Sequence, residues 1–231
     1  MKILAFETSA KAGSVALLED GVLLAESYQN TGLTHSQTLL TMAEELLKSC
    51  GLTPQSINAV AVANGPGSFT GVRIGVAAAK GFAWGGELPL YGVSTLEAMA
   101  LGLGVYHGYV LPVMDARRSQ VYNAVFHCEK GNLSRISEDR AISLQELGEE
   151  IKNLQEPIFL VGDGSILCYN TLKDTVPNLI APPEHRMHQR AAGVGLAAML
   201  HCDTPGDAAA LQPNYLRLSQ AERERLSREQ K

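Results

Sequence analysis

Two acidic tripeptides sit where chemistry could be done. Glu7-Thr8-Ser9 follows the apolar run Lys2 to Phe6, and Asp115-Ala116-Arg117 follows Val110 to Met114, so each places a carboxylate at the carboxyl end of a predicted strand. Carboxylates there can hold Mg²⁺ or orient a water for phosphoryl chemistry; capping or local pairing explains them equally well. The loop Gly65-Pro66-Gly67-Ser68-Phe69-Thr70-Gly71 opens a predicted helix, whose first-turn amides and dipole suit an anion. It is neither GxxxxGK[ST] nor GxGxxG, the third glycine coming one residue late, and a tight turn accounts for it as readily as a phosphate does. Gly162-Asp163-Gly164 closes a further strand and could approach a nucleotide or simply turn. The candidate nucleotide or phosphate contacts are therefore Glu7, Thr8, Ser9, Gly65, Gly67, Ser68, Asp115, Gly162 and Gly164.

Other chemistries find less support. His185 and His188 follow Pro182-Pro183 in a predicted loop with Glu184 as their acidic neighbour, and no set of histidines, cysteines and acids has metal-ligand spacing. Ser68 lies in Gly-Ser-Phe-Thr-Gly, not in a GxSxG elbow, and no His or Asp is marked as its partner. No catalytic and no metal-binding residue is assigned. Cys50, Cys128, Cys168 and Cys202 are far apart with no CxxC, which fits a reducing compartment. With 19 basic and 24 acidic side chains the net charge is -5, which gives no broad basic field for nucleic acid. The run Ala77 to Trp84 is broken by Lys80 and falls well short of the roughly 20 residues a bilayer span needs. A cytoplasmic protein with no membrane association is expected.

The elements that must position these residues repeat. Strand-like runs Lys2 to Phe6, Gly13 to Leu18 and Val22 to Tyr28 precede a helix from Thr34 to Cys50, a buried strand Ala59 to Ala63 and a helix from the Gly65 loop to Gly85-Gly86. From Tyr109 the order returns: strands Val110 to Met114, Gln120 to His127 and Leu133 to Ile142, a capping box at Ser143 and Glu146, strand Ile158 to Val161, and a late helix Ala191 to His201. Two βββαβα units predict an α/β protein of the actin-like ATPase (ASKHA) class with ribonuclease-H-like lobes at 1–106 and 107–218. The last helix is free to pack back on the first lobe, and 219–231 forms a polar tail.

Thr34 and Gln37 have capping-box form. Along the helix they start, the stripes Ser36/Leu40/Ala43/Leu47 and His35/Leu39/Met42/Leu46 span an arc of roughly 160°, wider than one sheet requires. One stripe can cover the sheet and the other meet a partner, or the helix can be sandwiched inside one lobe. Gly71, Gly75 and Ala79 form a small-residue stripe that admits a close backbone. A partner interface at Leu39, Met42, Leu46, Val76 and Ala79 is expected, so that charging Leu46 would abolish association without unfolding.

Ile3-Leu-Ala-Phe-Glu-Thr-Ser9, Gly13-Ser-Val-Ala-Leu17, His35-Ser-Gln, Gly65-Pro-Gly-Ser-Phe-Thr-Gly-Val-Arg-Ile-Gly75, Met114-Asp-Ala-Arg117 with Val121-Tyr122, and Pro213-Asn-Tyr-Leu-Arg217 together resemble the TsaB (YeaZ) family, most strongly over residues 1–125. The resemblance implies the actin-like fold and a heterodimer with the paralogue TsaD through the first two helices. It also implies a complex with TsaE and ATP that installs threonylcarbamoyl on adenosine 37 of tRNA. The catalytic paralogue carries a metal-binding histidine pair on the helix after a Gly-Val dipeptide; here those positions fall on Thr95 and Met99, and Ser94 with Glu97 again resembles a capping box. The expectation is a non-catalytic scaffold subunit with no tightly bound cofactor, with ATP or ADP held in the assembled complex, tRNA reached through the complex, and self-pairing when alone. An autonomous actin-like ATPase or small-molecule kinase is the alternative; a metallopeptidase lacks its ligands.

Overall fold

Ile3 to Phe6 and Ala59 to Ala63 are apolar at every position, as strands covered on both faces must be. In the computed structural model, which describes all residues except 118, 204, 205, 207 and 218–231, they form the centre of the first sheet. The strands β1 (Lys2–Glu7), β2 (Gly13–Glu19), β3 (Val22–Gln29), β4 (Ala59–Gly65) and β5 (Leu90–Ser94) lie in the order β3-β2-β1-β4-β5, the first three antiparallel and β1, β4 and β5 parallel. Helices α1 (His35–Ser49) and α2 (Phe69–Gly85) cover one face, where Phe6, Val15, Leu39, Leu46, Val62 and Val76 share a core. Helix α6 (Ala191–Leu200), from the far end of the chain, covers the other and packs on α3 (Thr95–Leu103).

The second sheet runs β10 (Arg140–Ser143), β7 (Gln120–Asn123), β6 (His107–Asp115), β11 (Ile158–Val161), β12 (Leu179–Ile180), with β8 (Phe126–Glu129) and β9 (Asn132–Arg135) extending from β6. Helices α4 (Leu144–Ile151) and α5 (Ser165–Leu172) cover one face and α3 the other, so α3 is shared by both lobes.

Several elements depart from the sequence reading. Strand β5 and helix α5 were not foreseen. The strand expected over Gln120 to His127 is interrupted at Ala124 and Val125, opposite Leu111 and Pro112, although β7 and β8 pair with β6 in one continuous antiparallel register. Pro112 has no N–H for the ladder, and the buried Asn123 side chain donates to the Pro112 and Ala124 carbonyls at 3.1 and 3.0 Å instead. The strand expected over Leu133 to Ile142 divides into β9 and β10 because Ile136 and Ser137 both donate backbone N–H groups to the Val125 carbonyl and bulge the chain. The polar tail 219–231 lies outside the described residues.

The caps are also partly different. Thr34 makes no side-chain capping bond; the Gln37 N–H donates to the Thr34 backbone carbonyl at 3.0 Å. Helix α1 is anchored instead by His35, whose Nε2 meets the Ala10 carbonyl at 2.8 Å. Ser94 does cap α3 and Ser143 forms the full box with Glu146, but Glu97 turns away from Ser94 to Arg135 and His201.

Candidate functional site

The cleft between the lobes, about 620 Å³, is floored by the loop after β1, the start of α2 and the loop after β6. Of the sequence candidates it collects Ser9, Gly67, Ser68 and Asp115. Lys11, Phe69, Thr70, Arg117, Asp163 and Arg217 also line it. Arg117 and Arg217 stood inside recognised motifs and Asp163 between two candidate glycines, but nothing in their spacing brought them to one cavity.

Glu7, Thr8, Gly65, Gly162 and Gly164 do not line the cleft. Glu7 is 1% exposed and its Oε1 accepts from the Ser9 N–H at 2.5 Å, so the carboxyl is folded onto its own turn. Burial pushes its pKa from 4.5 up to about 7, against the hydrogen bonds from Ser9 that favour the anion, and the nearby Asp163 carboxylate pushes the same way as burial. Asp163 is itself raised, first by burial. Thr8 is wholly buried and donates its hydroxyl to the Gly71 carbonyl at 2.8 Å.

The glycine stripe of α2 serves this packing. A Cβ at Gly71 would sit 2.1 Å from the Thr8 carbonyl oxygen, and one at Gly75 would sit 2.3 Å from Thr8 Oγ1. The backbone admitted by the stripe is thus the chain's own β1–β2 loop. Gly162 likewise lies where a Cβ would be 2.2 Å from the Val113 carbonyl oxygen.

The helix start is largely consumed by local bonding. Ser68 N–H donates to the Ser9 carbonyl at 2.6 Å, and Ser68 Oγ accepts from Gly71 N–H at 3.3 Å. The amides of Phe69 and Thr70 are the first-turn donors that this cap does not use. Lys11, Arg117 and Arg217 place three cations around the cavity against Asp115 and Asp163. Asp115 Oδ1 accepts from the Arg117 N–H at 2.6 Å, which shapes the loop where Arg117 takes a φ of 63°.

Thr95 and Met99 are buried in α3 and supply no metal donor comparable to imidazole. No group of three or more His, Cys, Asp or Glu among the described residues could hold a metal ion, and no described helix is long and apolar enough to cross a membrane.

The expected partner face must be corrected. Leu39, Met42, Leu46, Val76 and Ala79 are between 0 and 5% exposed and belong to the core between α1, α2 and the first sheet. Most of the wide apolar arc of α1 is covered, by the sheet on one side and by α2 on the other, with Leu40 left exposed. Helical periodicity alone does not decide between a partner and a neighbouring helix as the cover of the rest of the arc. Among the residues exposed on this side are Leu33 just before α1, Leu40 on α1 beside polar residues such as Glu44 and Lys48, and Arg73, Ala77, Gly81 and, 84% exposed, Trp84 on α2.

The fold and its residues have close counterparts. The family model described as TsaD, tRNA N6-adenosine threonylcarbamoyltransferase, matches residues 29–224. The tRNA threonylcarbamoyladenosine biosynthesis protein TsaB of Bacillus subtilis is 32% identical over 222 residues, 96% of each chain. That of Escherichia coli is 40% identical over 167 residues, 71% of this chain and 72% of its own. The solved structure of YeaZ from Pseudomonas aeruginosa superposes with a TM-score of 0.72 at 25% identity, covering 93% of this chain and 99% of that one. With likeness in sequence along nearly the whole of both chains, and in fold along nearly the whole of YeaZ, this chain belongs to the TsaB (YeaZ) family.

Proposed function

We propose that this chain is a non-catalytic subunit of the cytoplasmic machinery that makes N6-threonylcarbamoyladenosine in tRNA, and that it acts by binding and activating the paralogue TsaD. The observation that carries the reading is the state of Glu7. An acid that served Mg²⁺ or a nucleophilic water would face the cleft, whereas Glu7 is buried, bonded to Ser9 and has its pKa raised to about 7 by burial. The residues at the paralogue's metal positions, Thr95 and Met99, support the same view.

The docking surface proposed is the outer ridge of α1 and α2, with Leu40 and Trp84 as anchors and the small residues Ala77 and Gly81 admitting a helix closely. An exposed aromatic on the same helix as two small residues, with Leu40 exposed on α1, suits a helix-on-helix contact. Self-pairing of the isolated chain would use the same ridge, and TsaE and tRNA would be engaged through the complex. The functional test is reconstitution with TsaD, TsaE, ATP and tRNA: omission of this chain alone should abolish modification, and undiminished modification in its absence would overturn the proposal.

A second reading, an autonomous ATPase or small-molecule kinase, draws on the cations of Lys11, Arg117 and Arg217 around the cleft. It predicts Mg²⁺-dependent hydrolysis of ATP by the chain alone. On the subunit reading no cofactor is held tightly by this chain, and ATP or ADP belongs to the assembled complex.

A further inference from the structure

The last described segment, residues 208–217, crosses from one lobe to the other. It begins on the first lobe, where Ala208 and Leu211 pack against the core beneath α2 and Lys80 Nζ donates to the Ala209 carbonyl at 3.1 Å. Asn64 then takes it up at the carboxyl end of β4: its Nδ2 donates to the Gln212 carbonyl at 3.3 Å, and its own carbonyl accepts from Asn214 N–H at 2.6 Å. Gly65, at φ 127°, leaves room for this approach, since a Cβ there would lie 2.3 Å from the Asn214 carbonyl oxygen.

At the cleft the segment is latched by a two-ring stack flanked by an arginine. The Tyr215 ring stacks on Phe69 with centroids 4.4 Å apart and planes 13° from parallel. Arg73 Nε donates to Tyr215 Oη at 2.6 Å, and its guanidinium lies 5.4 Å from the Tyr215 centroid and 5.8 Å from that of Phe69. Two residues on, the chain has reached the second lobe. Leu216 packs with the cluster containing Met114, Tyr122 and Phe126, and Arg217 Nη1 donates to the Ala116 carbonyl at 2.6 Å. Phe69, Ala116 and Arg217 all line the cleft, so the crossing lies along its wall.

We infer that residues 208–217 are an interlobe clasp that sets the opening of the cleft, with Tyr215 as its latch on the first lobe and Arg217 as its hook on the second. The inference goes beyond the subunit reading and does not depend on it. A clasp differs from two local contacts in one measurable way: its ends are coupled, so loosening either end loosens the other by the same factor.

The test is amide hydrogen exchange by NMR on the full chain. Tyr215→Leu, which removes the stack and the cation contact on the first lobe, should speed exchange of the Ala116 amide on the second, normally bonded to the Gln120 carbonyl, by on the order of tenfold. Arg217→Met, altered on the second lobe, should speed exchange of the Asn214 amide on the first by a similar factor. Tyr215→Phe and Arg217→Lys, which retain a ring and a cation, read the same coupling in weaker form if either larger change unfolds the chain. Acceleration confined to the mutated end, or absent at both, would overturn the clasp.

Discussion

Replacing Glu7 by Gln removes a titration that the fold resists. The carboxyl is held at about 7 when folded and returns to an ordinary 4.5 when the chain unfolds, so between these values the folded protein binds the extra proton. Stability from this group is therefore fully present below pH 4.5 and is lost as pH rises through 7. The whole displacement corresponds to about 3 kcal/mol, of which about 2.5 kcal/mol develops between roughly pH 5 and pH 8. Gln has no proton to lose, and its Oε1 can still accept from Ser9 N–H. Urea unfolding of both proteins at stepped pH should show Glu7→Gln gaining on the parent by about 2 to 3 kcal/mol over that interval with an unchanged denaturant slope. Parallel stability curves would refute the account of Glu7 as a buried, near-neutral acid.

Asp163 opposes ionisation of Glu7, so Asp163→Asn should move the Glu7 midpoint down, measured by carbon NMR titration of its carboxyl; an unmoved midpoint would show that the two are not coupled. Leu46→Asp should cost more than about 3 kcal/mol by placing a charge in the core of the first lobe, visible as a lowered melting temperature before any partner is added. Gly75→Ala should destabilise by about 1 to 3 kcal/mol in chemical denaturation, because its Cβ would be driven onto Thr8 Oγ1. By contrast Leu40→Glu with Trp84→Ala should leave stability within about 1 kcal/mol of the parent, since each surface change contributes about 0.5 kcal/mol or less. The same pair should abolish association with TsaD in a light-scattering titration; retained association would move the docking surface elsewhere.

The sequence was most legible where a local rule decides the outcome. The apolar centres of β1 and β4, the glycine-headed α2, the Ser94 and Ser143 caps and the late helix α6 follow from burial pattern and cap chemistry. It was least legible where a distant segment decides. Pro112 opposite Ala124 interrupts a strand whose own residues would continue it, and packing beside α2 helps to bury Leu39, Met42 and Leu46, which the pattern of α1 alone offers to a partner. The cleft shows the same division. Ser9, Ser68 and Asp115 could be placed from strand ends and a helix start, whereas Lys11, Arg117 and Arg217 meet only because three separate segments converge. Burial of Glu7 was hidden for a related reason: the turn that folds its carboxyl onto Ser9 is closed by Gly67 and Gly71, some sixty residues downstream.

The most direct test of the central claim is size-exclusion chromatography with light scattering on this chain alone and mixed with TsaD from the same organism, with ATP turnover and tRNA modification assayed on each fraction. The subunit account predicts a heteromeric peak that supports modification once TsaE, ATP and tRNA are supplied, and no ATP turnover by this chain alone. Absence of a complex, together with Mg²⁺-dependent ATP hydrolysis in the fraction containing only this chain, would contradict it.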